Sequence, residues 1–180
     1  MWVQDVADLD ISLDDHFYNW LAKPYSVSKV FKELCQQLSV QVISQQEEPA
    51  LADEQQLLNI KEDNSLIRQV YLCGDGVPWS YGRVIVPQAT YQQYKNSFDN
   101  LGGSLIGETM LYGNPDAVRG PFEYAKINIK NELFNLALQG VELAKLSHLW
   151  GRRSVFQLLQ DYRLLVMEIY LPPTPSFPIF

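Results

Sequence analysis

Two charged residues stand out by their neighbours. Alternation over Leu66–Cys73 puts Leu66, Arg68, Val70 and Leu72 on one face of a strand. The same reading of Leu164–Leu171 puts Glu168 in a row with Leu164, Val166 and Tyr170. A charge in an apolar row is costly unless it has a partner. An arginine there can grip a carboxylate through two parallel bonds. A carboxylate there can accept a proton or hold a hydroxyl. The ordinary alternative is structural: the two form one buried ion pair, or either lies at a wet sheet edge. Backbone donors form a second group. Ser26 and Ser104 each suit a helix cap, which puts the amides of Val27 and Ile106 in first turns. Such N–H groups have no partner inside the helix and can bind an anion, although most face water.

Other chemistry is not spelled out. His16 and His148 stand alone, with no Cys or carboxylate at metal-ligand spacing, so no metal is expected. Gly74-Asp75-Gly76-Val77-Pro78-Trp79 begins like a dinucleotide loop, but it lacks the third glycine and joins two strands. Gly103-Ser104-Leu105-Ile106-Gly107 has the wrong spacing for a nucleophile elbow. There is no phosphate loop. No cofactor is expected.

The elements that must position these groups can be read in order. Asp14–Leu21 predicts a short helix, and Ser26 opens a second with Val30, Phe31, Leu34 and Leu38 on its buried face. Ser39–Ser44 alternates as a strand, and the polar, acidic stretch Gln45–Gln56 reads as a loop. Strands over Leu66–Cys73 and Trp79–Val86 flank Gly74-Asp75-Gly76, a hairpin turn. Pro87–Phe98 predicts a helix, and Ser104 caps a short one running towards Tyr112. Phe122–Ile129 reads as a strand and Glu132–Leu146 as a helix. Val155–Leu159 and Leu164–Leu171 make a closing hairpin, and the proline-rich tail Pro172–Phe180 wraps over the surface. The order is α+β with an antiparallel sheet, and no βαβ alternation.

Composition narrows the partners. The chain of 180 residues is long enough for a single domain, 1–180, and carries a formal net charge of −7. That charge argues against a nucleic-acid partner and against docking on an anionic membrane. An anionic substrate would therefore need a local arginine. No segment is long and apolar enough to cross a bilayer, and Met1–Asp10 has acids but no basic residue, unlike a signal peptide. Cys35 and Cys73 are far apart and read as two reduced, buried thiols of a cytoplasmic protein.

Arg68–Pro87 (RQVYLCGDGVPWSYGRVIVP) resembles the central hairpin of the chorismate–pyruvate lyase family. Leu101–Gly107 (LGGSLIG), Leu149–Ser154 (LWGRRS) and Leu164–Pro172 (LLVMEIYLP) follow in the family's order, and Trp20 and Ser26–Phe31 match its early helices more loosely. The resemblance implies a single antiparallel sheet with helices packed on it and two helical flaps over a buried ligand site. It implies a cofactor-free, monomeric, cytoplasmic enzyme that splits chorismate into 4-hydroxybenzoate and pyruvate, the first committed step towards ubiquinone. By the family pattern Arg68 and the amides of Val27 and Ile106 hold the product carboxylate, and Glu168 meets its hydroxyl end. The pattern departs at Val27, where a longer side chain such as Met is expected. It also departs in Tyr112–Ser147, a longer and unmatched stretch that would be a decoration or would reshape a flap, and in Pro173–Phe180.

Chorismate is a dianion, so a second carboxylate needs its own partner. Arg83, Arg152 and Arg153 are candidates, and adjacent strand residues face opposite ways, so Arg152 and Arg153 cannot both point inward. Glu168 would be either a base or a holder of the hydroxyl. A different class of function stays open: a non-catalytic module binding small aromatic carboxylates, as in effector-binding domains of transcription regulators that share the lyase-like fold. Nothing basic or helix-turn-helix-like precedes the domain in this sequence.

Overall fold

The computed structural model describes residues 1–142 and 146–178. Six strands form one antiparallel sheet: β1 (Leu38–Glu48), β2 (Ser65–Gly74), β3 (Val77–Pro87), β4 (Val118–Asn128), β5 (His148–Gln157) and β6 (Arg163–Tyr170), in the order β1-β2-β3-β6-β5-β4. The expected α+β architecture is present. Asp75 and Gly76, both at positive φ (49° and 82°), make the two-residue turn between β2 and β3, as the Gly-Asp-Gly signal requires.

Helices α1 (Tyr18–Ala22) and α2 (Val27–Leu34) and a π-helical turn (Gly107–Leu111) lie on one side of the sheet. Helices α3 (Ala52–Leu58) and α6 (Glu132–Leu138) lie on the other, and α4 (Gln88–Gln93) and α5 (Lys95–Asp99) follow β3. The far side holds two apolar clusters: Ile67, Ile85 and Leu165 pack with Leu58, and Tyr71, Tyr81, Met167 and Ile169 pack with Leu133 and Phe134. The near side is split. Trp20, Phe31, Trp150 and Tyr170 form one cluster; Leu66, Val84, Phe98, Phe156 and Leu164 form another.

Several expectations are corrected. Gln45–Gln56 is not a loop: β1 runs on to Glu48, and α3 follows with Glu54 fully buried. The polarity that suggested solvent comes from an edge strand and from carboxylates paired beneath the sheet. The first helix starts only at Tyr18, because the Asp15 carboxylate accepts from Phe17 N–H at 2.8 Å and holds the preceding turn in another conformation. Pro87–Phe98 divides into α4 and α5 at Tyr94. Ser104 is not a cap, since the helical turn begins three residues later, after Ile106. Helix α6 ends at Leu138, with Gly140 at φ 76° just beyond; the rest of the predicted Glu132–Leu146 helix includes 143–145, outside the described residues. Strand β5 begins at His148, seven residues before the predicted Val155, so LWGRRS is inside the sheet. The unmatched Tyr112–Ser147 stretch is no decoration: it supplies β4, paired along β5, and α6.

The tail packs against α1, with Trp20 Nε1 donating to Pro175 O at 2.8 Å and the Phe177 ring 4.9 Å from that of Trp20. Residues 179 and 180 of the predicted wrap lie outside the described residues. Both cysteines are free; Cys73 is buried, but Cys35 is only half-buried.

Candidate active site

The gap between the two near-side clusters is a cavity. Its floor follows from the register. Arg68, Val84, Val166 and Ser154 form one rung across β2, β3, β6 and β5, and Val70, Gly82, Glu168 and Arg152 form another two residues along. Arg68 and Glu168 are thus separated by two strand spacings and one side-chain repeat, roughly 12 Å between Cα atoms. Gly82 carries no side chain between them, and the floor sinks there. The covering wall is Ser26 and Val27 on one side and Ser104 to Gly107, Leu111 and Tyr112 on the other. The space between these residues is about 600 Å³ with open solvent included, and the cavity itself is about 70 Å³.

Arg68 does not pair with Glu168. It is 3% exposed, yet its bonds go to neutral acceptors: Nη1 donates to Gln45 Oε1 at 2.7 Å, and Nη2 to the carbonyls of Gly102 at 2.7 Å and Ser104 at 3.2 Å. Among the described residues no carboxylate lies within ion-pair distance of it. Burial lowers its pKa, the mark of a cation without a counter-charge. Gln45 reaches it because a bulge between Val42 and Ser44 shifts the register of β1.

Glu168 has a different partner. Arg152 Nε donates to its Oε2 at 2.6 Å, and Tyr170 OH lies 3.4 Å from the same oxygen. Oε1 takes no bond from the described residues, and Glu168 lines the cavity. Burial works against the charge of Arg152, but the adjacent carboxylate overcompensates and raises its pKa. Its other nitrogens donate to Lys23 O (2.6 Å) and Tyr25 O (2.9 Å), so one arginine ties the carboxylate to the segment entering α2.

Val27 is the first residue of α2, so its N–H has no acceptor inside the helix. The Ser26 hydroxyl faces that of Ser28 at 3.1 Å and does not cap the backbone. Ile106 directly precedes the π-helical turn and lines the same cavity. All four expected residues, Val27, Arg68, Ile106 and Glu168, therefore meet around one space. The two covering segments are joined on the outside by Lys32 on α2 and Glu108 in the turn, at 2.6 Å.

The candidates for the second carboxylate fare otherwise. Arg83 is on the far face, held by Glu54 through Nε (2.8 Å) and Nη2 (3.1 Å). Arg153 is there too, held by Asp53 at 2.6 Å and Glu123 at 2.8 Å. Arg152 is on the near face, with each of its three nitrogens already bonded. Of the pair Arg152 and Arg153, one faces in and one out, as alternation requires. Sequence reasoning missed Gly82 and Tyr112 as floor and wall, Gln45 as the support of Arg68, and Arg152 as the partner of Glu168. The register of LWGRRS against MEIYLP would have found the last.

Among the described residues no group of three or more His, Cys, Asp or Glu is placed to hold a metal, and no helix is long and apolar enough to cross a membrane.

The architecture is that of the ligand-binding domains of a class of bacterial regulators. PhnF from Mycobacterium smegmatis superposes with a TM-score of 0.58 at 12% identity, covering 87% of this chain and 68% of its own. The C-terminal domain of the histidine utilization repressor from Pseudomonas syringae pv. tomato str. DC3000 gives 0.57 at 11% identity, covering 80% and 98%. At that identity the likeness defines the fold alone. Sequence goes further. The profile described as chorismate lyase matches residues 1–178. A probable chorismate pyruvate-lyase from Pseudoalteromonas translucida (strain TAC 125) is 34% identical over 92% of this chain and 89% of its own length. One from Pseudoalteromonas atlantica (strain T6c / ATCC BAA-1087) is 31% identical over 90% and 82%. The chain belongs to the chorismate lyase family.

Proposed function

We propose that this protein converts chorismate into 4-hydroxybenzoate and pyruvate, as one domain, a monomer of the cytoplasm needing no cofactor or metal, at the entry to ubiquinone synthesis. One observation carries the reading: a buried arginine with only neutral partners faces a cavity whose opposite end holds a carboxylate. The ring carboxylate meets Arg68 and the Val27 and Ile106 amides, and the C4 hydroxyl meets the free oxygen of Glu168.

The reaction breaks the C3–O ether bond and removes hydrogen from C4, which makes the ring aromatic. In one route a base takes the C4 proton, the C–H pair becomes a ring double bond, and the ether oxygen leaves as enolpyruvate, which gains a proton at its methylene. In the other the C4 hydrogen passes directly to that methylene in a cyclic transition state, and pyruvate forms at once. The protein then supplies orientation and a fixed field. The contact between Glu168 and Arg152 favours the second route. Protonating Glu168 would discard a charge-assisted bond whose donor is otherwise buried.

The test is to mix the purified chain with chorismate in a strong chelator and follow 4-hydroxybenzoate. Equal amounts of that product and pyruvate, with no added cofactor, are expected. Loss of turnover with EDTA, restored by a divalent metal, would overturn the metal-free reading. The fold also suits a binding module. Tight 4-hydroxybenzoate binding with no consumption of chorismate would favour that instead.

A further inference from the structure

A dianionic substrate presents two carboxylates, and Arg68 accounts for one. Four other cations are committed elsewhere. Arg152 spends Nε, Nη1 and Nη2 on Glu168, Lys23 O and Tyr25 O. Lys32 is paired to Glu108 on the outer surface. Arg83 and Arg153 serve carboxylates on the far face.

Arg119, on β4, is different. Its guanidinium lies 4.4 Å from the centre of the Phe122 ring, which Arg152 also approaches at 4.4 Å. Nη2 donates to Pro24 O at 3.2 Å, in the segment entering α2. Among the described residues no carboxylate lies within ion-pair distance of it. Burial raises the pKa of Tyr112, a wall of the cavity; Glu168 raises it further, while the charges of Arg119 and Arg152 oppose this. Arg119 thus stands beside the cavity wall at the Glu168 end, at the seam between the two covering segments.

Chorismate's geometry matches that place. The enolpyruvyl ether is on the carbon next to the one bearing the hydroxyl. With the ring carboxylate on Arg68 and the hydroxyl on Glu168, the side-chain carboxylate projects sideways at the Glu168 end. We infer that Arg119, with the Tyr112 hydroxyl, receives the carboxylate of the departing three-carbon group; this rests on the proposed reaction.

The experiment compares chorismate kinetics with equilibrium binding of 4-hydroxybenzoate, which lacks that group. In Arg119→Ala the KM for chorismate should rise about 10-fold or more, from the loss of one charge-assisted contact. The Kd for 4-hydroxybenzoate should stay within about twofold of wild type, well under one hydrogen bond's worth. Arg119→Met, which keeps the contact with Phe122, should match Arg119→Ala, and Arg119→Lys should recover part of the loss. An unchanged KM would overturn the inference. So would KM and Kd rising together, because that is the signature of a tether on the segment entering α2. A wild-type chain that neither consumes chorismate nor binds 4-hydroxybenzoate would remove the proposed function, and this inference with it.

Discussion

Arg68 and Arg83 come from neighbouring strands, are 3% and 2% exposed, and are built into opposite faces of one sheet. Arg83 meets Glu54 through two bonds, and Glu54 is itself fully buried. Arg68 is equally enclosed but is given a glutamine oxygen and two carbonyls. Neutral dipoles orient a guanidinium without cancelling its charge. The far-face arginines complete their own electrostatics and hold α3 and β4 on the sheet. Arg68 is left without a counter-charge beside a cavity, and in the proposed function an incoming anion completes it. Burial of charge alone does not distinguish structure from function here; the identity of the partner does.

The largest effect expected from breaking this contrast is on the far face. Arg83→Ala strands the Glu54 carboxylate and should cost about 3–5 kcal/mol in a denaturant titration. Replacing both partners, Arg83→Met with Glu54→Leu, should recover most of it. An Arg83→Ala variant as stable as wild type would erase the distinction between the faces.

On the near face Gly82→Ala should cost less. The added methyl would sit on the cavity floor, 3.1 Å from a Val70 methyl. Crowding of about 1–3 kcal/mol should appear as weaker 4-hydroxybenzoate binding. Unchanged affinity would mean that the ligand does not lie over Gly82. Glu168→Gln keeps size and reach but loses charge. If Glu168 only holds the hydroxyl, kcat should fall by less than about tenfold, with folding and product affinity intact. A loss of about 100-fold or more would make Glu168 the general base. Smallest is Lys32→Ala, which unlinks the covering segments. The Lys32–Glu108 pair is half-exposed, with side chains at 49% and 35%, so a contribution of about 0.2–1 kcal/mol is expected. Stopped-flow product release should quicken by a few-fold at most, and added salt should mimic the change in wild type.

The same contrast explains what was legible in the sequence. Arg68 and Glu168 could be seen because each interrupts an apolar row, so period-two alternation exposes them. Val27 and Ile106, proposed to act through backbone, carry no side-chain signal; the candidate caps at Ser26 and Ser104 point to them only weakly, and the family pattern adds the rest. Helix α3 was hidden because Asp53 and Glu54 look solvent-facing until arginines two or more strands away are known to meet them. Gln45 was hidden by the bulge in β1, which breaks the alternation before the residue that supports Arg68. The partner of Glu168 was half visible: alternation says that one arginine of the pair Arg152 and Arg153 faces in, and register against β6 decides which.

The central claim is that Arg68 is the anchor for an aromatic carboxylate. Calorimetric titration of 4-hydroxybenzoate into wild type and Arg68→Ala tests it most directly. The account predicts tight binding to wild type and a loss of about 2–5 kcal/mol in the variant, from removing a charge-assisted contact in an enclosed site. Arg68→Lys should recover little, because an ammonium cannot reproduce the planar fork. Thermal stability should hold or rise, since the substitution removes a buried charge that has no counter-charge. Equal affinity in a folded Arg68→Ala variant would contradict the account and move the carboxylate site elsewhere.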